Sequence, residues 1–172
     1  GKAIYDSKEI NAVIKVLKNE GLSLVDGKNV KKLEKIVSRI FGKKFGLMVN
    51  SGSSANLLGL SSFNFKKGSE IITPNLTFST TIGCLVKNNL IPVFTDVKDS
   101  TYCIDENQIE ALITDNTVAI LAPNLLGNLC AWDQISNIAK KHNLILIEDS
   151  ADTLGGKMND GKYSGSYADL SI

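Results

Sequence analysis

Apolar residues at Ile10, Val13, Ile14 and Leu17 recur at the three- and four-residue spacing of a helix face, and Asp6-Ser7-Lys8-Glu9 has the form of a capping box in front of them. Asn19-Glu20-Gly21 is expected to end that helix. A second helix is read from Val30, Leu33, Ile36, Val37 and Ile40, with Gly42 as its stop. From there extended and helical patterns alternate. Phe45–Val49 reads as a buried strand, and Ser54–Phe63 as a helix with Leu57, Leu58 and Leu60 facing inward. A strand at Glu70–Thr73, a helix over about 79–87 and a short strand at Pro92–Thr95 follow. Asp105 is expected to cap a helix carrying Ile109, Leu112 and Ile113. Then come a strand at Val118–Leu121, a helix from Trp132 to Lys141, and an unbroken apolar strand at Leu144–Ile147 that runs into Glu148-Asp149.

Strands that are apolar on both faces and separated by helices require a parallel sheet covered on both sides. The predicted class is therefore an α/β three-layer sandwich with a mostly parallel sheet. With 172 residues, 43% of them hydrophobic, the chain can bury the core of one domain. It shows no internal repeat, low-complexity tract or Pro/Gly-rich linker. Leu170-Ser171-Ile172 reads as the middle of a strand, so the chain is expected to be part of a longer protein.

Charge and cysteine usage narrow the partners. Nineteen basic and eighteen acidic side chains give a net charge of +1, and the lysines are spread over predicted helix faces. Bulk electrostatic binding to nucleic acid or to a membrane surface is not expected. Cys84, Cys103 and Cys130 are dispersed, without CxxC spacing, which fits a reducing cytosol better than a disulfide framework or a metal site. No secretory leader pattern and no apolar run of membrane-spanning length is present, so a cytoplasmic location is expected.

The candidate chemistry begins at Asn50-Ser51-Gly52-Ser53-Ser54-Ala55-Asn56, a small polar turn before a helix. Such a turn presents free backbone N–H groups and the positive end of the helix dipole, and Ser53 and Ser54 add hydroxyls: an anion site suited to phosphate. In open α/β sheets ligands bind beyond the carboxyl ends of strands, and Asn50–Asn56, Pro74–Thr80 and Asp149–Asp152 are all read as lying there. Asp149 ends the most apolar strand, where a carboxylate needs a positive or proton-donating partner. A protonated pyridine nitrogen is one such partner; capping the next loop or binding a metal are the others. Phe78 either stacks on a flat ring or packs in the core. His142, the single histidine, sits in the polar helix end Lys140-Lys141-His142-Asn143, where the helix C-terminus accounts for it.

Taken together in order and spacing, these segments resemble the pyridoxal-phosphate enzymes that modify nucleotide-activated sugars: the DegT/DnrJ/StrS sugar aminotransferases and their 3-dehydratase relatives, with the aspartate-aminotransferase (type I) fold. The likeness starts near Gly27. It runs through Asn50–Asn56, Glu70-Ile71-Ile72-Thr73-Pro74, Pro92-Val93-Phe94-Thr95-Asp96-Val97 and Leu126-Gly127-Asn128 to Glu148-Asp149-Ser150-Ala151-Asp152-Thr153-Leu154-Gly155. It implies that residues 1–172 are the N-terminal part of a cofactor-binding large domain, without the C-terminal small domain. It also implies a pyridoxal or pyridoxamine 5′-phosphate, with Ser53 and Ser54 on its phosphate, Phe78 on its ring, Asp149 on the ring nitrogen and Asp152 near the ring hydroxyl. A homodimer, a nucleotide-sugar substrate and a role in lipopolysaccharide or related glycan synthesis follow from the same likeness.

Gly127-Asn128, where many of the aminotransferases have Gly-Gln, and Asp160-Gly161-Lys162-Tyr163-Ser164-Gly165 look more like the branch that removes a sugar 3-hydroxyl. In that branch a histidine replaces the lysine that binds the cofactor. The position is expected a few residues past Ile172, so no catalytic residue is expected within the chain. A sugar aminotransferase is the alternative reading, and a non-catalytic module binding a phosphate-bearing ligand the second. A nucleotide-binding α/β domain is disfavoured, because GxGxxG after the first strand and a Walker lysine are both missing.

Overall fold

The computed structural model describes residues 3–19, 21 and 24–172, and it alternates helix and strand. Helix α1 (Ser7–Leu17) opens on the expected capping box: the Lys8 N–H donates to the Asp6 carboxylate at 2.6 Å, and the Asp6 N–H donates to Glu9 at 2.8 Å. It ends on Lys18; Glu20, part of the expected stop, lies outside the described residues. Helix α2 (Lys28–Ile40) closes through Phe41 and Gly42, the latter in the left-handed region at φ +66°. Then follow α3 (Gly52–Ser62), β1 (Glu70–Pro74), α4 (Ser79–Lys87), β2 (Ile91–Thr95), α5 (Glu106–Ile109), β3 (Thr117–Pro123), α6 (Trp132–Lys141), β4 (Ile145–Asp149) and β5 (Leu170–Ser171).

The five strands form one parallel sheet in the order β2-β1-β3-β4-β5. Successive side chains on the inner strands point to opposite faces and build two cores. Ile72, Ile120, Ala122 and Leu146 pack with Ile109, Trp132, Ile135 and Ala139 from α5 and α6. Ile71, Ala119, Leu121 and Ile147 pack with Leu60, Cys84 and Leu85 from α3 and α4. This is the three-layer α/β arrangement expected from doubly apolar strands. No helix among the described residues is long and apolar enough to cross a membrane.

Three local expectations fail. Phe45–Val49 is not a strand: it pairs with no described strand, and Phe45 and Leu47 are both 79% exposed. It runs instead beside α2, where the Met48 N–H donates to the Glu34 carboxylate at 2.8 Å and a Cβ on Gly46 would lie 2.7 Å from the Glu34 carbonyl oxygen. An apolar run becomes a buried strand only when a neighbour supplies its hydrogen bonds. In α3, Leu60 is buried but Leu58 is exposed, because the sheet covers only one stripe of that helix. The helix after Asp105 is a single turn followed by a 3-10 turn at Glu110–Leu112.

Candidate functional site

The strand order reverses direction at β1 and β3, since β2 lies to one side of β1 and the later strands lie to the other. A crevice forms outside the carboxyl ends of strands at such a point. Here it is a cleft of about 390 Å³ between the first turn of α3, the start of α4 and the segments that leave β3 and β4.

Ser51 caps α3, its hydroxyl accepting from the Ser54 N–H at 3.2 Å. The N–H groups of Gly52 and Ser53, at the first two helical positions, therefore have no acceptor within the helix. Nothing lies within 4 Å of where a Gly52 Cβ would be, so this end of the helix is open. The Ser53 hydroxyl faces the cleft and donates to Thr80 Oγ1 at 2.9 Å, joining the starts of α3 and α4. Ser54 does not line the cleft; its hydroxyl accepts from Ser51 Oγ at 3.1 Å and belongs to the cap.

Strand β4 carries Asp149 to the same cleft. One carboxylate oxygen accepts from Asn56 Nδ2 at 2.9 Å, and the other accepts a longer bond, 3.3 Å, from the Ala151 N–H. Asn56 is only 3% exposed, and its Oδ1 has no hydrogen-bond partner. A buried orphan acceptor lining a cleft marks a place where a donor is expected. Phe78, at the N-terminal end of α4, lines the cleft with 67% of its surface exposed, so it is not a core residue. Asp152 accepts from the Leu126 N–H at 3.2 Å, which holds the loop after β3 against the loop after β4. Leu126 sits at φ +56°, a conformation a leucine adopts only under constraint.

Behind the cleft a buried network locks these loops together. The two amide hydrogens of Asn124 serve three acceptors: Glu148 Oε1 at 2.7 Å, Thr153 Oγ1 at 3.1 Å and Ser150 Oγ at 3.2 Å. Its Oδ1 accepts from the Trp132 indole N–H at 2.8 Å and the Cys130 N–H at 3.0 Å. The Asn124 N–H itself donates to the Asp149 carbonyl at 2.9 Å. Burial pushes the Glu148 carboxyl above its ordinary range, opposed by donors from Ser150, Gly165 and Asn124 and by the nearby Lys43 ammonium. Lys43, itself lowered by burial, donates to the Gly165 and Ala168 carbonyls.

The structure thus brings Ser53, Phe78, Asp149 and Asp152 to one cleft and leaves Ser54 outside it, at the cap of α3. His142 is elsewhere, its Nε2 2.7 Å from Glu110 Oε1 at the end of α6. Asn56, Thr80, Asn124 and Glu148 were not singled out from sequence. A signal existed for Asn124, a lone amide directly after the apolar run of β3; nothing in the local pattern distinguishes Thr80.

Comparison with known proteins follows the same outline. The chain matches the DegT/DnrJ/EryC1/StrS aminotransferase family over residues 3–172. It is 41% identical over 158 residues to a dTDP-4-dehydro-2,6-dideoxy-D-glucose 3-dehydratase of Saccharopolyspora spinosa, covering 87% of this chain and 34% of that protein. Its fold superposes with a TM-score of 0.85 on an Escherichia coli GDP-4-keto-6-deoxy-D-mannose-3-dehydratase with bound hydrated PLP, at 36% identity, over 93% of this chain and 42% of that one. An aminotransferase from Psychrobacter cryohalolentis gives a TM-score of 0.82 at 31% identity, over 90% of this chain and 39% of that one. The chain spans well under half the length of these proteins. A match along residues 3–172, carried by the same α/β layers and the same sheet, means that this chain belongs to the DegT/DnrJ/EryC1/StrS aminotransferase family.

Proposed function

We propose that this chain forms the cofactor-binding portion of a pyridoxal- or pyridoxamine-phosphate enzyme that acts on a nucleotide-linked deoxysugar, with 4-keto-6-deoxyhexose 3-dehydration as its reaction. The observation that carries the reading is the Asp149 carboxylate at the end of β4, in the cleft that also holds the open first turn of α3. The residues fit such a cofactor. The Gly52 and Ser53 N–H groups and the Ser53 hydroxyl would hold its phosphate. Phe78 would cover a ring face, Asp149 would face the ring nitrogen, and Asp152 would lie toward the ring hydroxyl.

When bound, the cofactor would supply an electron sink for charge developing on the substrate. The chain's part is to keep that sink effective. Asp149 would hold a proton on the ring nitrogen by charge pairing, and Asn56 holds the carboxylate in place by donating to it. Asn124 and Glu148 fix the loops that bear Asp149 and Leu126, so the carboxylate is presented without reorganisation. The proton-transferring group would lie past Ile172 and decides the reaction: a histidine can move a proton but cannot bind the cofactor covalently, whereas a lysine does both.

The 41% identity to a 3-dehydratase supports dehydration. Amino transfer is the second reading, favoured by the likeness to the Psychrobacter aminotransferase. A cytoplasmic homodimer serving lipopolysaccharide or related glycan synthesis completes the proposal. Its test is Asp149→Asn in the intact enzyme, which should lower turnover by roughly a hundredfold or more with the fold unchanged; full activity would remove Asp149 from the mechanism. With pyridoxal phosphate and borohydride, no lysine within residues 1–172 should become covalently labelled, and a label on one of them would refute the placement of the catalytic position.

A further inference from the structure

The first turns of two helices reach the cleft that contains Asp149. Gly52 and Ser53 come from α3, and Phe78 and Thr80 come from the start of α4. Helix α4 begins without a side-chain cap, because Phe78 occupies the cap position. The Thr81 N–H turns back to the Phe78 carbonyl at 2.9 Å. The Thr80 N–H, at the second helical position, has no acceptor within the helix.

Ser53 and Thr80 share a hydrogen bond of 2.9 Å in which Ser53 Oγ donates to Thr80 Oγ1. A hydroxyl carries a single proton, so Ser53 has none to give an anion while that bond stands. The Thr80 hydroxyl donates to none of the described residues. A phosphate oxygen accepts, so what the pair can offer it is the Thr80 proton. No lysine or arginine among the described residues lines the cleft, and the carboxylates of Asp149 and Asp152 do. A phosphate there depends on neutral N–H and O–H donors, and each one counts. Asn56 marks the same cleft as a ligand site independently of the helix ends: it is 3% exposed, and its Oδ1 has no partner.

Resting on the cofactor read for this cleft, we propose that Thr80 is a ligand of the cofactor phosphate and that Ser53 is the residue that positions it. The Thr80 hydroxyl donates to a phosphate oxygen and its N–H adds a second donor. Ser53 holds Thr80 Oγ1 by donating to it, so that the Thr80 proton is left for the cleft. The phosphate then lies between the first turns of α3 and α4, near the positive ends of both helices. Phe78 precedes Thr80 on the same turn, so α4 sets ring cover and phosphate contact together.

The test compares the affinity of the intact enzyme for pyridoxamine phosphate with its affinity for pyridoxamine, in wild type, Thr80→Val and Thr80→Ser. Thr80→Val keeps the shape of the side chain and removes the hydroxyl. It should weaken pyridoxamine-phosphate binding by about tenfold and leave pyridoxamine binding unchanged, and Thr80→Ser should recover most of the loss. Phosphate-dependent binding in the wild type that Thr80→Val lowers by less than about threefold would return the contact to Ser53 and overturn the assignment. An equal loss for both ligands would make Thr80 a structural residue and overturn it as well. Wild-type enzyme that binds the two ligands equally would remove the phosphate site itself, and the cofactor reading with it. Should the valine variant fail to fold, a crystal structure of the wild-type enzyme with pyridoxamine phosphate decides: Thr80 Oγ1 within about 3.2 Å of a phosphate oxygen supports the assignment, and a longer separation refutes it.

Discussion

Replacing Asn124 with alanine removes the side chain on which both cleft loops converge. Two buried donors, the Trp132 indole N–H and the Cys130 N–H, then lose their acceptor, while Glu148 keeps Ser150 and Gly165 as donors. An unsatisfied buried group costs about 1–3 kcal/mol, so the pair costs about 2–6 kcal/mol. The adjoining cleft lets water reach part of the gap, which places the expectation near the lower half of that range, about 3 kcal/mol. With a urea dependence of about 2 kcal/mol per molar, the unfolding midpoint should fall by about 1.5 M. Trp132 is the single tryptophan, so its fluorescence reports both the transition and the loss of its hydrogen bond. A midpoint change within about 0.3 M, with an unshifted emission maximum, would show that Asn124 does not organise this end of the sheet. Asn124→Asp separates the two roles. It keeps the acceptor for both N–H groups but opposes Glu148 with a second carboxylate, so it should be destabilised increasingly as pH rises.

Gly165→Ala should destabilise by about 2–4 kcal/mol in thermal unfolding, because φ is +85° and the added Cβ would lie 2.5 Å from the Phe41 ring and 2.9 Å from Ser171 Oγ; a neutral effect would mean this turn relaxes freely. Glu148 binds its proton more tightly folded than unfolded, so its contribution falls as pH rises from its ordinary value of 4.5 toward its raised value and is flat above that. Subtracting the pH profile of Glu148→Gln should isolate this slope, and a difference that rises with pH would contradict the burial argument. Ser53→Ala combined with Ser54→Ala should weaken pyridoxamine-phosphate binding in the intact enzyme by about tenfold, most of it from Ser53. Unchanged affinity would leave the turn a helix cap and nothing more.

Much of this architecture was legible in the chain. Runs such as Val118–Leu121 and Leu144–Ile147 require cover on both faces, and that requirement alone yields a parallel sheet between helix layers. The capping box at Asp6-Ser7-Lys8-Glu9 and the polar turn at Ser51–Ser54 mark helix starts through local hydrogen bonds, so they too could be read directly. Phe45–Val49 could not, since its state depends on a neighbouring strand and not on its own residues. In the cleft, Asp149 and Phe78 stood out as residue types at strand ends. Asn56 and Asn124 act through partners 93 and 24 positions away, contacts that only the folded sheet creates. The Ser54 hydroxyl, expected at a phosphate from its position in the turn, accepts from Ser51 Oγ at the cap, a bond that only the folded turn shows.

The central claim is that one cleft holds a pyridine ring nitrogen at Asp149 and a phosphate at the first turn of α3. Calorimetric titration of the intact enzyme with pyridoxamine phosphate tests it most directly, run beside Asp149→Asn and beside pyridoxamine without its phosphate. Saturable binding that weakens by about tenfold or more in Asp149→Asn, and again by about tenfold or more without the phosphate, is the predicted result. Equal affinity across all three would contradict it.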